Sequence, residues 1–260
     1  SLAFLVLVAP LCAPVATAQP DGDRAVEIRE WEVPWENSRP RDPYVAPDGR
    51  VWFVGQRADY AAYLDPEAGT FERFDLEEGA GPHNLIVDAA GQVWYAGNRA
   101  AHIGRLDPAT GEVRRIDMPD PAARDPHTMA FDQDGDLWFT LQGANMVGHL
   151  DRESLAVRLI QAPQARTSRG MGSSNPYGLV TDSKGHPWIA HLNTNAIGTV
   201  DPATMELRLI ELPDGSRPRR LVVDSKDRVW YGDWAQGQLG MYDPATGELK
   251  EWDDPNGPGA

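Results

Sequence analysis

The chain has 260 residues, of which 41% are hydrophobic and 24% are charged, a balance that supports a folded core and excludes disordered and collagen-like proteins. Its formal net charge of -15 at pH 7 would repel a phosphate backbone, which argues against a nucleic-acid partner. The length suits either two ordinary domains or one large all-β domain.

The first eighteen residues have the pattern of an export signal. An apolar stretch from Leu2 to Leu11 precedes Ala16-Thr17-Ala18, the small-x-small pattern of a signal-peptidase site. The stretch is too short to span a bilayer comfortably. We therefore expect residues 1–18 to be a signal peptide that is incomplete at its N-terminus, and the mature protein to be periplasmic or secreted, without membrane contact. Cys12 lies in the segment to be removed, which leaves no cysteine chemistry.

Five copies of one pattern occupy the rest of the chain. Each copy contains an Asp, a Gly and a Trp, and the successive tryptophans are 42, 44, 50 and 42 residues apart. Four short apolar runs per copy, separated by Asp, Gly and Pro, predict a four-stranded antiparallel sheet. A repeated unit of this size is typical of a propeller blade, so the sequence predicts an all-β protein, a β-propeller. The five tryptophans are Trp52, Trp94, Trp138, Trp188 and Trp230.

The count of strands bears on how the ring closes. Residues 26–34 match the last strand of a copy but have no first three strands before them. Propellers commonly close by lending one terminal strand to the last blade. We therefore expect Val26–Pro34 to be a closing strand, residues 19–260 to form a single propeller domain that is incomplete at its C-terminus, and at least one further blade to follow Ala260.

Polar residues gather where the first strands begin, at the rim that we call the mouth. Because first strands lie nearest the axis, side chains of different blades can meet there. The residues predicted at the start of the first strands are Tyr44, His83, His127, Tyr177 and Arg219. Two histidines in adjacent blades suit acid–base chemistry at neutral pH, although a histidine after proline can equally satisfy a loop carbonyl.

Arginines are concentrated in the loops of the same rim. They would attract an anionic or carbonyl-rich ligand, or else pair with acidic residues of the same loops. An insertion at Gln164–Ser174 lies beside them and could act as a lid or be flexible decoration. The arginines are Arg39, Arg41, Arg124, Arg166, Arg169, Arg217, Arg219 and Arg220.

The repeats resemble the streptogramin B lyase (virginiamycin B lyase) family over residues 26–252. The motifs that carry the resemblance are Pro-His or Pro-Tyr-Gly opening a first strand, Val-Trp-Phe in a second strand and Ala-Asn-x-Val-Gly in a third. The resemblance implies a seven-bladed ring and a Mg²⁺-dependent carbon–oxygen lyase that linearises a cyclic depsipeptide or related ester by elimination, an activity that confers antibiotic resistance. In the family the working residues lie on the last two blades, which here would follow Ala260.

A similar constellation nevertheless occurs within this chain. By similarity, His127 is the candidate base, Asp125 and Gln142 are the candidate Mg²⁺ ligands, and His83 and Tyr177 would orient or protonate the leaving ester oxygen. The family has Glu where this chain has Asp125 and a carboxylate where it has Gln142, so weaker metal binding is expected. The residues predicted to bind substrate are Arg219, Tyr44, Arg124 and His191.

Two other functions remain open at this point. One is a non-catalytic propeller that binds a ligand or a protein through its arginine-rich rim. The other is a lactonase-like metal hydrolase, which would need several carboxylates and an Asn at the axis, and Asp125 and Asp233 are few for that purpose. The partner we expect is a small-molecule or cyclic peptide ligand, and we expect the protein to be a monomer.

Overall fold

A computed structural model of the chain describes residues 28–167 and 170–258. The chain divides into two units, residues 1–32 and 33–260, and all strands belong to the second. The predicted signal peptide lies outside the described residues. Among the described residues no helix is long and apolar enough to cross a membrane.

Five four-stranded antiparallel sheets follow one another along the chain, each with its strands in sequence order. This confirms the predicted all-β architecture of repeated blades. Blade one consists of β1 (Pro40–Val45), β2 (Val51–Gly55), β3 (Tyr60–Asp65) and β4 (Thr70–Asp75), and blade two of β5 (Leu85–Val87), β6 (Val93–Gly97), β7 (His102–Leu106) and β8 (Val113–Asp117). Blade three consists of β9 (Pro126–Phe131), β10 (Leu137–Leu141), β11 (Met146–Leu150) and β12 (Val157–Gln161).

A two-stranded hairpin, β13 (Gln164–Thr167) and β14 (Gly170–Ser173), separates blade three from blade four. It occupies the predicted insertion, which is therefore a hairpin. Ser173 and Ser174 anchor its base, since both hydroxyls donate to Oδ1 of Asn145, at 3.0 and 2.9 Å. Blade four then consists of β15 (Pro176–Thr181), β16 (Pro187–His191), β17 (Ala196–Asp201) and β18 (Glu206–Glu211), and blade five of β19 (Pro218–Val223), β20 (Val229–Asp233), β21 (Gln238–Asp243) and β22 (Glu248–Asp253).

The core lies between neighbouring blades. The second strands β6, β10 and β16 are buried along their whole length, whereas the fourth strands β4 and β8 are largely exposed. First strands of successive blades contact each other, so they are the innermost strands. Apolar side chains of one sheet pack on those of the next, as Trp94 of blade two does with Leu137 and Phe139 of blade three. A Cβ at Gly148 would overlap the ring of Phe139, which explains the glycine of the third strand.

A carboxylate holds the tryptophan in four of the five blades. In blade two, Oδ1 of Asp88 accepts the backbone N–H groups of Ala90 and Gln92, each at 2.9 Å, and Oδ2 accepts the indole N–H of Trp94 at 3.1 Å. The aspartate therefore fixes the turn and the next strand together. We call this pair the Asp–Trp clasp. It recurs as Asp132–Trp138, Asp182–Trp188 and Asp224–Trp230.

Blade one lacks the clasp, and its predicted alignment was wrong by two residues. The clasp aspartate stands six residues before the tryptophan, a position that Ala46 occupies before Trp52. Ala46 accepts and donates the same turn hydrogen bonds through its backbone, with Arg50 and Gly49. Asp48, on which the alignment was based, is an exposed residue within the turn. Tyr44 consequently pairs with Trp52 instead of opening the strand.

The predicted closing strand is also different in the structure. Residues 28–34 form no strand there, and residues 26–27 lie outside the described part of the chain. Val33 instead packs on the apolar cluster of blade one around Phe53 and Tyr60.

The clasp predicts a specific loss of stability. Asp182→Ala leaves a buried indole N–H and two turn N–H groups without their acceptor, so the free energy of unfolding should fall by about 1.5–3 kcal/mol. Asp48→Ala, which removes an exposed turn carboxylate that touches no indole, should change it by less than about 0.5 kcal/mol. Urea unfolding of both variants measures the difference, and equal losses would contradict a role for the clasp.

Candidate functional site

The corrected register defines which side chains reach the mouth. The residue eleven positions before each blade tryptophan opens the first strand, and in blade one this residue is Arg41, followed by Asp42. The predicted Tyr44 instead donates its hydroxyl to the backbone oxygen of Val87, at 3.3 Å, and packs in the core between blades. Counting back from the tryptophan rather than from the aspartate would have found Arg41 and Asp42.

One side chain from each blade joins a closed circuit at the mouth. Nδ1 of His83 lies 3.4 Å from Oδ2 of Asp42, and the rings of His83 and His127 have centroids 3.7 Å apart. The ring of Tyr177 follows at 4.4 Å from that of His127. The Arg220 guanidinium lies 5.2 Å from the Tyr177 ring, and its Nη2 returns to Oδ1 of Asp42 at 3.8 Å. The structure thus brings together three predicted residues, His83, His127 and Tyr177.

His127 is buried and electrically neutral. It is 3% exposed, and its Nδ1 lies 3.0 Å from the hydroxyl of Thr128. Burial, the neighbouring His83 and the charge of Arg220 lower the pKa of His127 to about 2, against a smaller opposite effect of Asp42. A base works best when its pKa lies near the working pH. His127 therefore suits a positioning role better than the predicted role of base.

Asp42 and His83 form the pair that suits proton transfer. Burial tends to raise the pKa of Asp42, but the hydrogen bond and charge of His83, with the charges of Arg220 and Arg41, lower it below its usual value. Asp42 is thus a carboxylate at neutral pH, with its Oδ2 3.4 Å from Nδ1 of His83. Asn84 helps to fix this carboxylate, with Nδ2 3.5 Å from Oδ2.

Arginines form the exposed part of the mouth. Arg219 and Arg220 are exposed, and both guanidinium groups lie over the Tyr177 ring, at 5.5 and 5.2 Å from its centroid. Arg217 lies over Trp234 in the same way, at 5.2 Å. A cavity of about 360 Å³ opens beside Arg219, Arg220 and Trp234. The surface is cationic in a strongly acidic protein, which focuses anionic groups there.

The predicted metal ligands do not form a metal site. Asp125 stands before Pro126 with a left-handed backbone, φ 66°, a conformation that Asp tolerates better than most residues. Its Oδ1 accepts from Nδ2 of Asn98, and its Oδ2 accepts the N–H of Gly143 at 2.9 Å. Gln142 is joined to it only through the backbone, at 3.2 Å. Both carboxylate oxygens are therefore engaged in holding loops, and a neutral amide alone does not fit Mg²⁺.

The remaining predicted residues lie around the mouth in different settings. His191 is fully buried, with Nδ1 2.9 Å from the Ser174 hydroxyl, and burial lowers its pKa to about 4. This placement does not fit contact with a substrate. Arg124 is exposed. Asp233 is buried, and its Oδ1 accepts the N–H groups of Arg217, Ala235 and Gln236. Oδ1 of Asp233 is thus used in a turn, whereas its Oδ2 is buried and has no hydrogen-bond partner among the described residues.

One group with the spacing of a metal site occurs among the described residues, on the rim opposite the mouth. The ligand atoms of Asp132, Asp136 and His149 lie within 4.8 Å of one another. The Arg158 guanidinium lies 3.2 Å from Nδ1 of His149 and can only donate, so Nδ1 is the acceptor. The proton of the neutral imidazole is therefore on Nε2, which faces the two carboxylates. Nε2 of His149 lies 3.8 Å from Asp132 and 3.5 Å from Asp136, which are electrostatic contacts and longer than hydrogen bonds.

Comparison with known proteins identifies the family of this chain. The sequence matches the virginiamycin B lyase family over residues 23–257, which includes all five blades. The chain belongs to the virginiamycin B lyase family. This confirms the resemblance seen in the repeat motifs.

Solved structures of two lyases and of a gluconolactonase share the fold. A catalytically inactive histidine-to-alanine variant of virginiamycin B lyase from Staphylococcus aureus, in complex with quinupristin, is 21% identical, with a TM-score of 0.77 over 89% of this chain and 75% of that chain. A streptogramin B lyase is also 21% identical, with a TM-score of 0.55 over 86% of each chain. A gluconolactonase from Xanthomonas campestris is 15% identical, with a TM-score of 0.60 over 84% of this chain and 77% of that chain. No curated protein sequence matches the chain.

The buried His127 predicts a defined pH dependence. Its folded-state pKa of about 2 lies below the unfolded value of 6.5, so its contribution to stability is complete above pH 6.5 and is lost as the pH falls. Between pH 7 and pH 5 it should remove about 2 kcal/mol from the free energy of unfolding. His127→Phe should reduce the measured loss by that amount in urea unfolding at both pH values. An unchanged loss would show that His127 is protonated in the folded protein.

Proposed function

We propose that this protein is an exported carbon–oxygen lyase that linearises a cyclic depsipeptide or a related ester by elimination. Membership of the virginiamycin B lyase family supports the reaction class. The main structural support for the proposal is the Asp42–His83 pair beside the arginines of the mouth. It places a base, with a carboxylate next to it, close to cationic groups that can bind a developing negative charge. Inactivation of streptogramin-type antibiotics is part of the proposal.

His83 acts as the base in this proposal. Its Nδ1 faces Asp42, so Nε2 is the ring nitrogen that remains for the substrate. It takes the proton from the carbon next to the substrate carbonyl, and Asp42 stabilises the imidazolium that results. His127 packs against the His83 ring and holds its orientation, which makes it a positioning residue.

The arginines receive the leaving group. As the C–H electron pair forms the new double bond, the carbon–oxygen bond of the ester breaks and its electron pair goes to a carboxylate. This carboxylate needs no proton, so a cationic surface suits it better than an acid does. Arg219 and Arg220 supply that surface, and the ring of Tyr177 holds them in place. Tyr177 thereby positions the arginines instead of protonating the ester oxygen.

Mg²⁺ is the cofactor that the family resemblance implies, and the predicted donors do not fit it. Both oxygens of Asp125 are engaged with Asn98 and Gly143, and Gln142 offers no charge. The proposal therefore assigns no step to a metal ion. The charge that develops on the carbonyl oxygen is assigned to the guanidinium groups of the mouth.

A non-catalytic binding role is the second candidate. It is favoured by the burial of His83, His127 and Tyr177, which are 4%, 3% and 7% exposed and contact one another around the circuit. In that case the arginines would bind an anionic ligand, and the three buried side chains below them would have a structural role only. Turnover distinguishes the two candidates, because a binding protein leaves the ester intact.

The test is ring opening of quinupristin, followed by mass spectrometry. Elimination yields a linear product with the mass of the substrate, whereas hydrolysis yields one that is heavier by a molecule of water. His83→Asn should lower kcat/KM by about 10²–10⁴, and Asp42→Asn by at least about tenfold. Arg114→Gln, on the exposed outer strand β8, should remain within about twofold of the wild type. Binding without turnover over a panel of cyclic depsipeptides would favour the second candidate.

Asp125→Asn tests the metal assignment in the same assay. Asn retains one oxygen and tolerates the left-handed backbone. If Asp125 only holds loops, activity should fall less than about threefold, and the residual activity should respond to EDTA as the wild type does. A loss of activity comparable to that of His83→Asn, restored by excess Mg²⁺, would show that Asp125 is a metal ligand.

A further inference from the structure

The guanidinium groups of Arg219 and Arg220 have unbonded donors. Both side chains are exposed, and each lies over the Tyr177 ring, at 5.5 and 5.2 Å from its centroid. A contact of this kind leaves the N–H groups free to donate. Arg219 forms no ion pair or side-chain hydrogen bond with any described residue, and Arg220 has only the long contact to Asp42, 3.8 Å from Nη2 to Oδ1. Two neighbouring guanidinium groups are therefore able to bind an acceptor from outside the chain.

The cavity beside these arginines restricts what that acceptor is attached to. Its volume of about 360 Å³ is near the lower limit of small-molecule sites. Gly232 lines it opposite Arg220 in the sheet, and a Cβ at Gly232 would meet no atom within 4 Å. Asp254 and Gln238 also line it and offer oxygens that can accept from peptide N–H groups, whereas Asp254 would repel a second carboxylate. The lining thus matches a peptide end with a single carboxylate.

The proposed reaction changes the charge of the group that the arginines bind. In the cyclic substrate the ester is neutral, whereas after elimination its carbonyl carbon belongs to a carboxylate with a full negative charge. Arginine binds a carboxylate through two parallel N–H···O bonds, which are stronger than bonds to a neutral carbonyl. The groups that stabilise the forming carboxylate therefore bind the carboxylate of the product more strongly than the ester of the substrate.

We propose that the mouth binds linear peptides through a free C-terminal carboxylate, and that the product of the enzyme is such a ligand and inhibits it. This inference rests on the proposed function for the identity of the product, because elimination at the ester leaves a peptide acid. The carboxylate binds Arg219 and Arg220, and the preceding residues enter the cavity, where their N–H groups donate to Asp254 and Gln238. The arginines thereby slow product release, and the concentration of product regulates the rate.

Two linear forms of one substrate isolate the contribution of the carboxylate. Opening the ester of quinupristin with hydroxide gives a linear acid, and opening it with ammonia gives the corresponding primary amide. Isothermal titration calorimetry measures the binding of each to the full-length protein at neutral pH. The acid should bind at least about fivefold more tightly than the amide, and this ratio should fall toward one in about 0.5 M NaCl. Equal affinities at low salt would overturn the proposal.

Single substitutions locate the preference for the acid. Arg219→Gln removes an exposed guanidinium that has no ion pair within the described fold, so the variant should unfold as the wild type does, and the acid-to-amide ratio should fall at least about threefold. Arg220→Gln should lower the ratio in the same way. Arg208→Gln, on the outer strand β18, changes the net charge equally and should leave the ratio unchanged. A ratio that persists in both mouth variants would contradict the proposed site.

Initial rates of quinupristin opening test the regulation. The linear acid should inhibit competitively, and the amide should inhibit at least about fivefold more weakly. If the protein opens the ring while acid and amide bind and inhibit equally, the lyase function stands and this inference is wrong. If the protein opens no ring but still prefers the acid, the lyase function and the product inhibition are wrong, and only the binding of peptide acids remains.

Discussion

The hydrogen bond between a turn aspartate and the blade tryptophan is the constraint from which the rest of the structure follows. It joins the turn at one end of the first strand to the second strand, and thereby fixes the register of the two innermost strands in four blades. A shift of one residue would turn every side chain of a strand to the other face. The clasp on one rim therefore determines which residues open the first strands on the other rim.

The mouth is arranged so that charge increases toward solvent. The imidazoles of His83 and His127 and the ring of Tyr177 are buried, while Arg219 and Arg220 are exposed above them. Asp42 is the carboxylate that links the two layers, since it lies beside both His83 and Arg220. A base whose protonated form is supported, next to cations that receive a carboxylate, is the arrangement that an ester elimination needs. The same cations would also suit a protein that only binds its ligand. A measurement of turnover therefore distinguishes the lyase from the binding protein.

The sequence predicted the blades well because their spacing and turn residues are local properties. It also placed His83, His127 and Tyr177 together, because equivalent positions of a repeat meet at an axis. Blade one was misread because Asp48-Gly49 has the composition of a clasp turn, whereas the distance to Trp52 shows that Ala46 holds that position. For this reason Asp42 was missed as a site residue, and Arg41 was predicted only as one of the rim arginines.

Depth and hydrogen-bond partners were not accessible from the sequence. His191 stands in a column that the alignment assigns to the mouth, yet its ring is buried against Ser174. Asp125 resembles a ligand by its place next to a Pro-His pair, yet its left-handed backbone and its bonds to Asn98 and Gly143 give it a loop-holding role. Such roles depend on tertiary contacts of residues far apart in the chain, which a pattern of residue types does not contain.

The central claim is that the clasp is present in four blades and absent from the first. Hydrogen exchange of the indole N–H groups, followed by NMR in D₂O, tests it directly. We predict that the buried and bonded indoles of Trp94, Trp138 and Trp188 exchange slowly, and that the indole of Trp52 exchanges far faster although its side chain is equally buried. Protection of Trp52 equal to that of the other three would contradict the account.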